Sequence, residues 1–325
     1  MAEALLSVED LRIDLSIGAR RLAVVKDVSF AIGHGEIFGL VGESGCGKSV
    51  VALSLIGLLR APLSVGGGRI RFEGNEIQNL SHAAMRTLRG KRISMIFQEP
   101  MTALNPLSPI GRQIAEMFVL HEGATWHEAE RRAVEALARV HVPAPDRRAR
   151  DYPHRLSGGM RQRVMIAIAL ACSPSLVVAD EPTTALDVTV QAEILDLIRE
   201  LAKEQGTAVL MISHDLGLIA QVCQRVGVMY AGRLVEQRPS GEIFRSPRHP
   251  YAKGLVAALP VLGARTRSGR TALKEIAGLV PTVSDYASGC RFNPRCYART
   301  EICTSVDPGE TPLPGGGFVA CHHHE

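Results

Sequence analysis

The chain has 325 residues, 46% of them apolar, enough for one large domain or two smaller ones with a full core. Its 37 basic and 33 acidic residues leave a formal charge of +4, a near balance that argues against a dedicated nucleic-acid binder while allowing a local basic patch. No apolar run approaches the ~18 residues of a membrane span, and the N-terminus carries Glu3, Glu9 and Asp10 where a secretory leader would be basic, so we expect a cytosolic chain that meets membranes only through partners.

Leu5 to Ser16 alternates apolar and polar residues and predicts a strand. Ala23 to Ile32 predicts a second, with Gly33-His34-Gly35 as the turn that follows. These should form a small antiparallel layer against a parallel core. A purine ring would sit near this layer, yet the first aromatic residue is Phe30, inside the second strand.

Ile37 to Val41 reads as a buried strand and Val50 to Leu59 as a helix. Between them stands Gly42-Glu43-Ser44-Gly45-Cys46-Gly47-Lys48-Ser49, a G-x-x-x-x-G-K-S phosphate loop in the strand–loop–helix setting it requires. Glycines let backbone N–H groups turn toward a polyanion, and the helix start, including Val50, adds its dipole. Lys48 would reach the β- and γ-phosphates and Ser49 would hold Mg²⁺.

Gly66-Gly67-Gly68 predicts a break, and Arg69 to Phe72 with the Glu73-Gly74-Asn75 turn predicts a hairpin. Ile93 to Phe97 predicts a short strand ending at Gln98, placed to ligate Mg²⁺ or contact an attacking water; alone, it would be an ordinary surface glutamine. Pro100 to Pro109 is rich in turn residues, and Ile110 to Leu120 and Thr125 to Val140 have helical spacing, the latter with a Thr125/Glu128 capping box. The charges Glu128, Glu130, Arg131, Arg132 and Glu135 read as a solvated helix face.

Leu156-Ser157-Gly158-Gly159-Met160-Arg161-Gln162 opens a helix that Ser157 can cap. Its glycines leave N–H groups open to an anion, such as the γ-phosphate of a nucleotide held by another subunit. Ser175 to Ala179 predicts a strand ending in Asp180-Glu181. Downstream of a phosphate loop, the first carboxylate supports Mg²⁺ through water, and the second polarises or deprotonates the attacking water. Thr183 to Asp187 reads as a turn, Val190 to Lys203 as a helix, and Ala208 to Ile212 as a strand leading to His214. A histidine at the C-terminal end of a parallel strand lies on the ligand edge, where it can bond the γ-phosphate and hold the water and Glu181. Arg225 to Tyr230 and Arg233 to Gln237 predict a closing hairpin.

Beyond residue 240 the long periodic runs end. His249 to Leu255 opens a short helix, residues 263 to 269 read as a link, and Cys290, Cys296, Cys303 and Cys321 crowd the tail. In a cytosolic chain such a cluster favours metal over disulfides. Four thiolates suit Zn²⁺ or an iron–sulfur cube, although C-x₂-C pairs are missing; unligated structural thiols or disulfides are the remaining option. His322, His323 and His324 can bind metal adventitiously or form a polar terminus.

The ordered set of phosphate loop, Gln98, LSGGM, Asp180-Glu181, Ala185-Leu186-Asp187 and His214 resembles the ATP-binding subunit of an ABC transporter, over about residues 5 to 240. Residues 98 to 106, His249-Pro250-Tyr251 and residues 289 to 296 resemble the oligopeptide/dipeptide/nickel importers. The resemblance implies an α/β P-loop NTPase cassette at 1–240, with a helical signature subdomain at about 100–160 and a C-terminal extension at 241–325. It implies ATP and Mg²⁺ bound at Gly42 to Val50, Gln98 and Asp180, and covered in trans by Ser157, Gly158 and Gly159 of a second homologous ATPase subunit. Lys48, Gln98, Glu181 and His214 would be catalytic, and Asp187 would communicate between the two sites. Two transmembrane permease subunits and an extracytoplasmic solute-binding protein are implied as partners, with the chain on the cytoplasmic face of the membrane. It also implies a [4Fe–4S] cluster on the four tail cysteines, with Zn²⁺ as the alternative. Other solutes of the same family, nickel included, are compatible with these motifs. The reading from a different class is a soluble ATPase acting on nucleic acid or ribosomes, disfavoured by the single cassette and the tail.

Overall fold

Two sheets of different character carry the fold. The computed structural model describes residues 4–184, 186–259, 265–266, 269–270 and 276–324. Ala185 and part of the expected 263–269 link lie outside the described residues. The first sheet is antiparallel, ordered β2 (Arg20–Ile32), β1 (Leu6–Ile17), β4 (Leu63–Phe72) and β5 (Asn75–Glu76). β1 buries Leu6 and Val8 and then Leu11 and Ile13, the alternation stepping over an irregularity between Val8 and Leu11. Gly66 to Gly68 do not break the pattern but run inside β4. The reason is a bulge: β1 slips register against β4 between Glu9 and Arg12. A Cβ on Gly68 would lie 2.4 Å from the Asp10 carbonyl oxygen, and one on Gly66 would lie 2.3 Å from an Asp14 carboxylate oxygen.

The second sheet is mainly parallel. β3 (Ile37–Val41) pairs in parallel with both β8 (Ala208–Ser213) and β9 (Arg225–Tyr230), and β7 (Leu176–Asp180) and β6 (Ile93–Ile96) continue the order. Every residue of β3, β7 and β8 is buried, the continuous apolar run expected of strands covered on both faces. β10 (Arg233–Pro239) closes as a hairpin on β9. All ligand-bearing loops leave the C-terminal ends of β3, β6, β7 and β8, which places them on one edge of the sheet.

The covering helices follow from local signals. α1 (Lys48–Leu55) leaves the phosphate loop and stops two residues before Gly57, earlier than its apolar run suggests, because Gly57 has a φ of +62°. α2 (His82–Leu88) lies before β6, and the short α3 (Pro100–Ala103) after it. α4 (Ile110–Glu122), α5 (Trp126–Arg139) and α6 (Pro145–Arg148) form the expected helical insertion. Thr125 caps α5 by accepting the Glu128 N–H, but Glu128 turns to Arg131 instead of closing the box. α7 (Gly158–Leu170), α8 (Val188–Gln205) and α9 (Leu216–Val222) flank the parallel strands. Among the described residues no helix is long and apolar enough to cross a membrane.

The segment after residue 240 adds α10 (Ser240–Arg245), α11 (Pro250–Ala257), a ribbon of β11 (Arg265–Thr266) and β12 (Gly269–Arg270), and α12 (Ile302–Ser305). It ends in β13 (Thr311–Pro312) and β14 (Phe318–Val319), and β14 extends the main sheet by pairing with β10. Two of its aromatic residues, Tyr251 and Phe292, enter the core. The Tyr251 and Phe292 rings lie 4.7 and 5.0 Å from the Tyr230 ring, and 5.4 Å from each other. All three residues are at most 2% exposed.

Candidate active site

The phosphate loop is built against β9. A Cβ on Gly42 would lie 2.1 Å from the Met229 carbonyl oxygen, so only glycine lets the chain turn here. Gly47 is the N-cap of α1, and the N–H groups of Lys48, Ser49 and Val50 form the helix's unpaired first turn. Lys48 is buried, with its ammonium donating to the carbonyls of Gly42 at 2.7 Å and Glu43 at 3.0 Å. Ser44 and Gly45 are exposed at the mouth of the loop. Cys46 is fully buried, and burial pushes its thiol up. Ser49 Oγ donates to Asp180 Oδ1 at 3.0 Å, which joins the two expected Mg²⁺-supporting residues. Burial raises the Asp180 pKa, with the Ser49 hydrogen bond opposing it. A hydroxyl and a carboxylate joined at the helix start are suitable oxygen donors for Mg²⁺.

Glu181 is the focus of the acid–base groups. It has a φ of +46°, in the left-handed region, and its N–H bonds the Ile212 carbonyl at 2.9 Å, which fixes it on the end of β8. One carboxylate oxygen, Oε2, receives Gln98 Nε2 at 3.1 Å, Thr184 Oγ1 at 2.9 Å and lies 3.1 Å from His214 Nδ1. Gln98 is thus a hydrogen-bond donor to Glu181. Thr184 was missed in the sequence, where it was only part of a turn. Glu43, Ser44, Glu181 and His214 line one cleft of about 710 Å³, together with Leu255, Leu279 and Val280.

The signature residues lie elsewhere on the chain. Ser157 caps α7 by accepting the Met160 N–H, and Cβ atoms on Gly158 and Gly159 would meet Leu186 and Val190. Asp187 caps α8 by accepting the Val190 N–H at 3.1 Å. Phe30 stacks on Phe38 inside the core at 5.3 Å, so its ring faces no ligand.

A contact absent from the sequence reading comes from the C-terminal segment. The Glu43 N–H donates to Tyr251 Oη at 2.8 Å, and the Glu43 carboxylate receives a bidentate pair from Arg295 at 2.7 and 3.0 Å. These partners stand 208 and 252 residues away, beyond the reach of any local pattern.

All four tail cysteines are free thiols. Burial pushes Cys290 up to about 11, with Cys303 and Cys321 adding to it, and Cys296 and Cys321 are raised in the same way. The Cys290 N–H bonds the Cys303 carbonyl at 2.9 Å, and Thr300 Oγ1 lies 3.7 Å from Cys303 Sγ and 2.7 Å from His323 Nε2. However, among the described residues no group of three or more His, Cys, Asp or Glu is arranged to hold a metal ion. A single Zn²⁺ would need its sulfurs within roughly 4 Å of one another, so this arrangement does not fit the ion, and the expected [4Fe–4S] cluster gains no support from it either.

Comparison with known proteins agrees with this geometry. The ABC transporter family model matches residues 25–184, and the model for the oligopeptide/dipeptide transporter C-terminal region matches residues 235–303. The chain is 48% identical to the oligopeptide transport ATP-binding protein OppD of Escherichia coli, across 97% of this chain and 92% of that protein. It is 46% identical to a probable peptide ABC transporter ATP-binding protein of Sinorhizobium fredii, across 98% and 95% respectively. Among solved structures, the dimeric ATP-binding cassette MJ0796 bound to ADP and Pi matches with a TM-score of 0.65 and 26% identity, covering 72% of this chain and 98% of that one. With its P-loop fold, its loop-to-carboxylate cleft and relatives matched over nearly its whole length, the chain belongs to the family of ABC transporter ATP-binding proteins, ATPases of the oligopeptide/dipeptide type.

Proposed function

We propose that this chain binds ATP with Mg²⁺ and hydrolyses it to energise import of di- or oligopeptides. The observation that carries the ATPase part is the cleft that Glu181 and His214 line together with Glu43 and Ser44 of the phosphate loop, with three partners on the Glu181 carboxylate. Loop N–H groups and Lys48 bind the phosphates. Ser49 and Asp180 hold Mg²⁺, which supplies charge neutralisation on the phosphate oxygens when bound. Glu181 takes the proton of the attacking water, while His214, Gln98 and Thr184 keep its carboxylate aimed.

The finer assignments extend this reading. Ser157, Gly158 and Gly159 donate in trans to the γ-phosphate held by a second, homologous ATPase subunit. That placement is supported by their separation from this chain's own cleft. Asp187, at the α8 cap beside this helix start, relays between the two sites. Two transmembrane permease subunits anchor the chain to the cytoplasmic face of the membrane, and a solute-binding protein outside delivers cargo. The cassette is assigned to 1–240 and the extension to 241–325. For the tail, a [4Fe–4S] cluster on Cys290, Cys296, Cys303 and Cys321 rests on ligand number alone. Iron and sulfide analysis of anaerobically purified protein tests it, and a metal-free result removes the cluster alone.

The importer reading is tested in the complex reconstituted with its permease subunits and binding protein. Peptide is expected to stimulate ATP turnover. Stimulation by a metal ion or a sugar, with none by peptides, would contradict the cargo class.

A further inference from the structure

The C-terminal extension reaches the phosphate loop at one residue, Glu43. This is the second residue of the loop, and it lines the same cleft as Glu181 and His214. Left free, its carboxylate would repel the phosphates. It is not free: Arg295 grips both oxygens, at 2.7 and 3.0 Å. The Arg295 side chain is only 5% exposed. It is aimed by two carbonyls of the extension, Ala277 at 2.8 Å and Ile276 at 3.2 Å. The guanidinium lies over the Tyr230 ring, 5.7 Å from its centroid. Tyr251, also from the extension, takes the Glu43 N–H. The main-chain carbonyl of Glu43 meanwhile receives Lys48. Side chain, N–H and carbonyl of one loop residue are thus all committed, two of them to groups beyond residue 250.

From this we infer that Arg295 is a positioning residue of the nucleotide site, which cancels the charge of Glu43 and so makes the loop attractive to a polyphosphate. The inference rests on the ATP-binding reading of the cleft. A bidentate guanidinium fixes the carboxylate geometrically as well as electrically. Arg295 is buried while the Glu43 side chain is 31% exposed, so removing the arginine alone leaves the carboxylate's charge open to the ligand.

The test measures affinity for ATP, ADP and adenosine by calorimetry, in the full-length chain and in Arg295→Gln, Arg295→Lys, Glu43→Gln and the double variant Glu43→Gln/Arg295→Gln. One uncompensated charge across an effective dielectric of about 20 changes ATP affinity roughly tenfold. Arg295→Gln should lose about that factor for ATP, less for ADP and nothing for adenosine. The double variant should recover ATP affinity, because the repelling carboxylate has gone, and Arg295→Lys should keep most of it. Equal losses for all three ligands, or no recovery in the double variant, would show that Arg295 only supports the fold and would overturn the inference. Should Arg295→Gln fail to fold, Glu43→Gln decides alone: tighter ATP binding, with the arginine's charge now unopposed, supports the inference, and unchanged or weaker binding overturns it. An unaltered chain that binds no ATP would instead defeat the underlying ATPase reading, and this inference with it.

Discussion

Acid should loosen the extension from the core through one histidine. His249 is the N-cap of α11, 1% exposed, with Nδ1 accepting the Tyr251 N–H at 3.0 Å. Only the neutral ring can accept there. Burial, with Lys253 adding to it, lowers its pKa from 6.5 to about 3. The folded value lies below the unfolded one, so the contribution is complete above pH 6.5 and is lost as pH falls from there toward 3, where the unfolded chain takes up a proton that the folded chain refuses. At pH 5 the loss is about 1.5 units at 1.36 kcal/mol each, roughly 2 kcal/mol. Glu236, which accepts the His249 and Arg248 N–H groups, also titrates, so the comparison needs a variant that differs only at the histidine. His249→Asn keeps a capping acceptor but has no proton to gain. Urea unfolding of both proteins at pH 7.5 and pH 5 should show the original chain losing about 2 kcal/mol more than the variant. Parallel losses would refute the reasoning.

Two further outcomes follow from the same geometry. Thr184→Val removes one hydrogen bond to Glu181 without touching the phosphate loop, so kcat should fall roughly tenfold, the rate equivalent of a charged hydrogen bond of about 1.5 kcal/mol, with KM for ATP unchanged. Steady-state kinetics check it, and a raised KM at constant kcat would be the wrong result. Phe292→Ala should cost about 3–5 kcal/mol in a denaturant titration, because its ring is 2% exposed and wedged against Tyr230 and Tyr251. A cost under about 1 kcal/mol would mean that the extension packs loosely on the core.

What the sequence reveals here is what local chemistry can encode. The phosphate loop, the acidic pair after β7 and His214 after β8 each declare themselves by residue type at a strand end, and the structure brings Glu181 and His214 together across 33 positions. The same apolar runs mark the parallel strands but not their order, in which β3 lies between β9 and β8. The misreadings have physical causes. Three glycines look like a break until the bulge in β1 shows how closely Gly66 and Gly68 are crowded opposite it. Thr184 looks like any turn residue, because its value depends on the left-handed kink at Glu181 that precedes it. β14 is two residues long and carries no periodicity of its own. The Arg295 and Tyr251 contacts with Glu43 are tertiary in origin, and a proline- and glycine-rich tail gives no hint of them.

The central claim is that Glu181 is the base of an ATPase site. The most direct measurement is ATP turnover and ATP affinity in Glu181→Gln, which keeps the shape of the side chain and removes its basicity. We predict that ATP still binds as tightly as in the original chain while turnover falls a hundredfold or more, the roughly 10²–10⁴ range of general-base catalysis. Unchanged turnover in that variant would contradict the account.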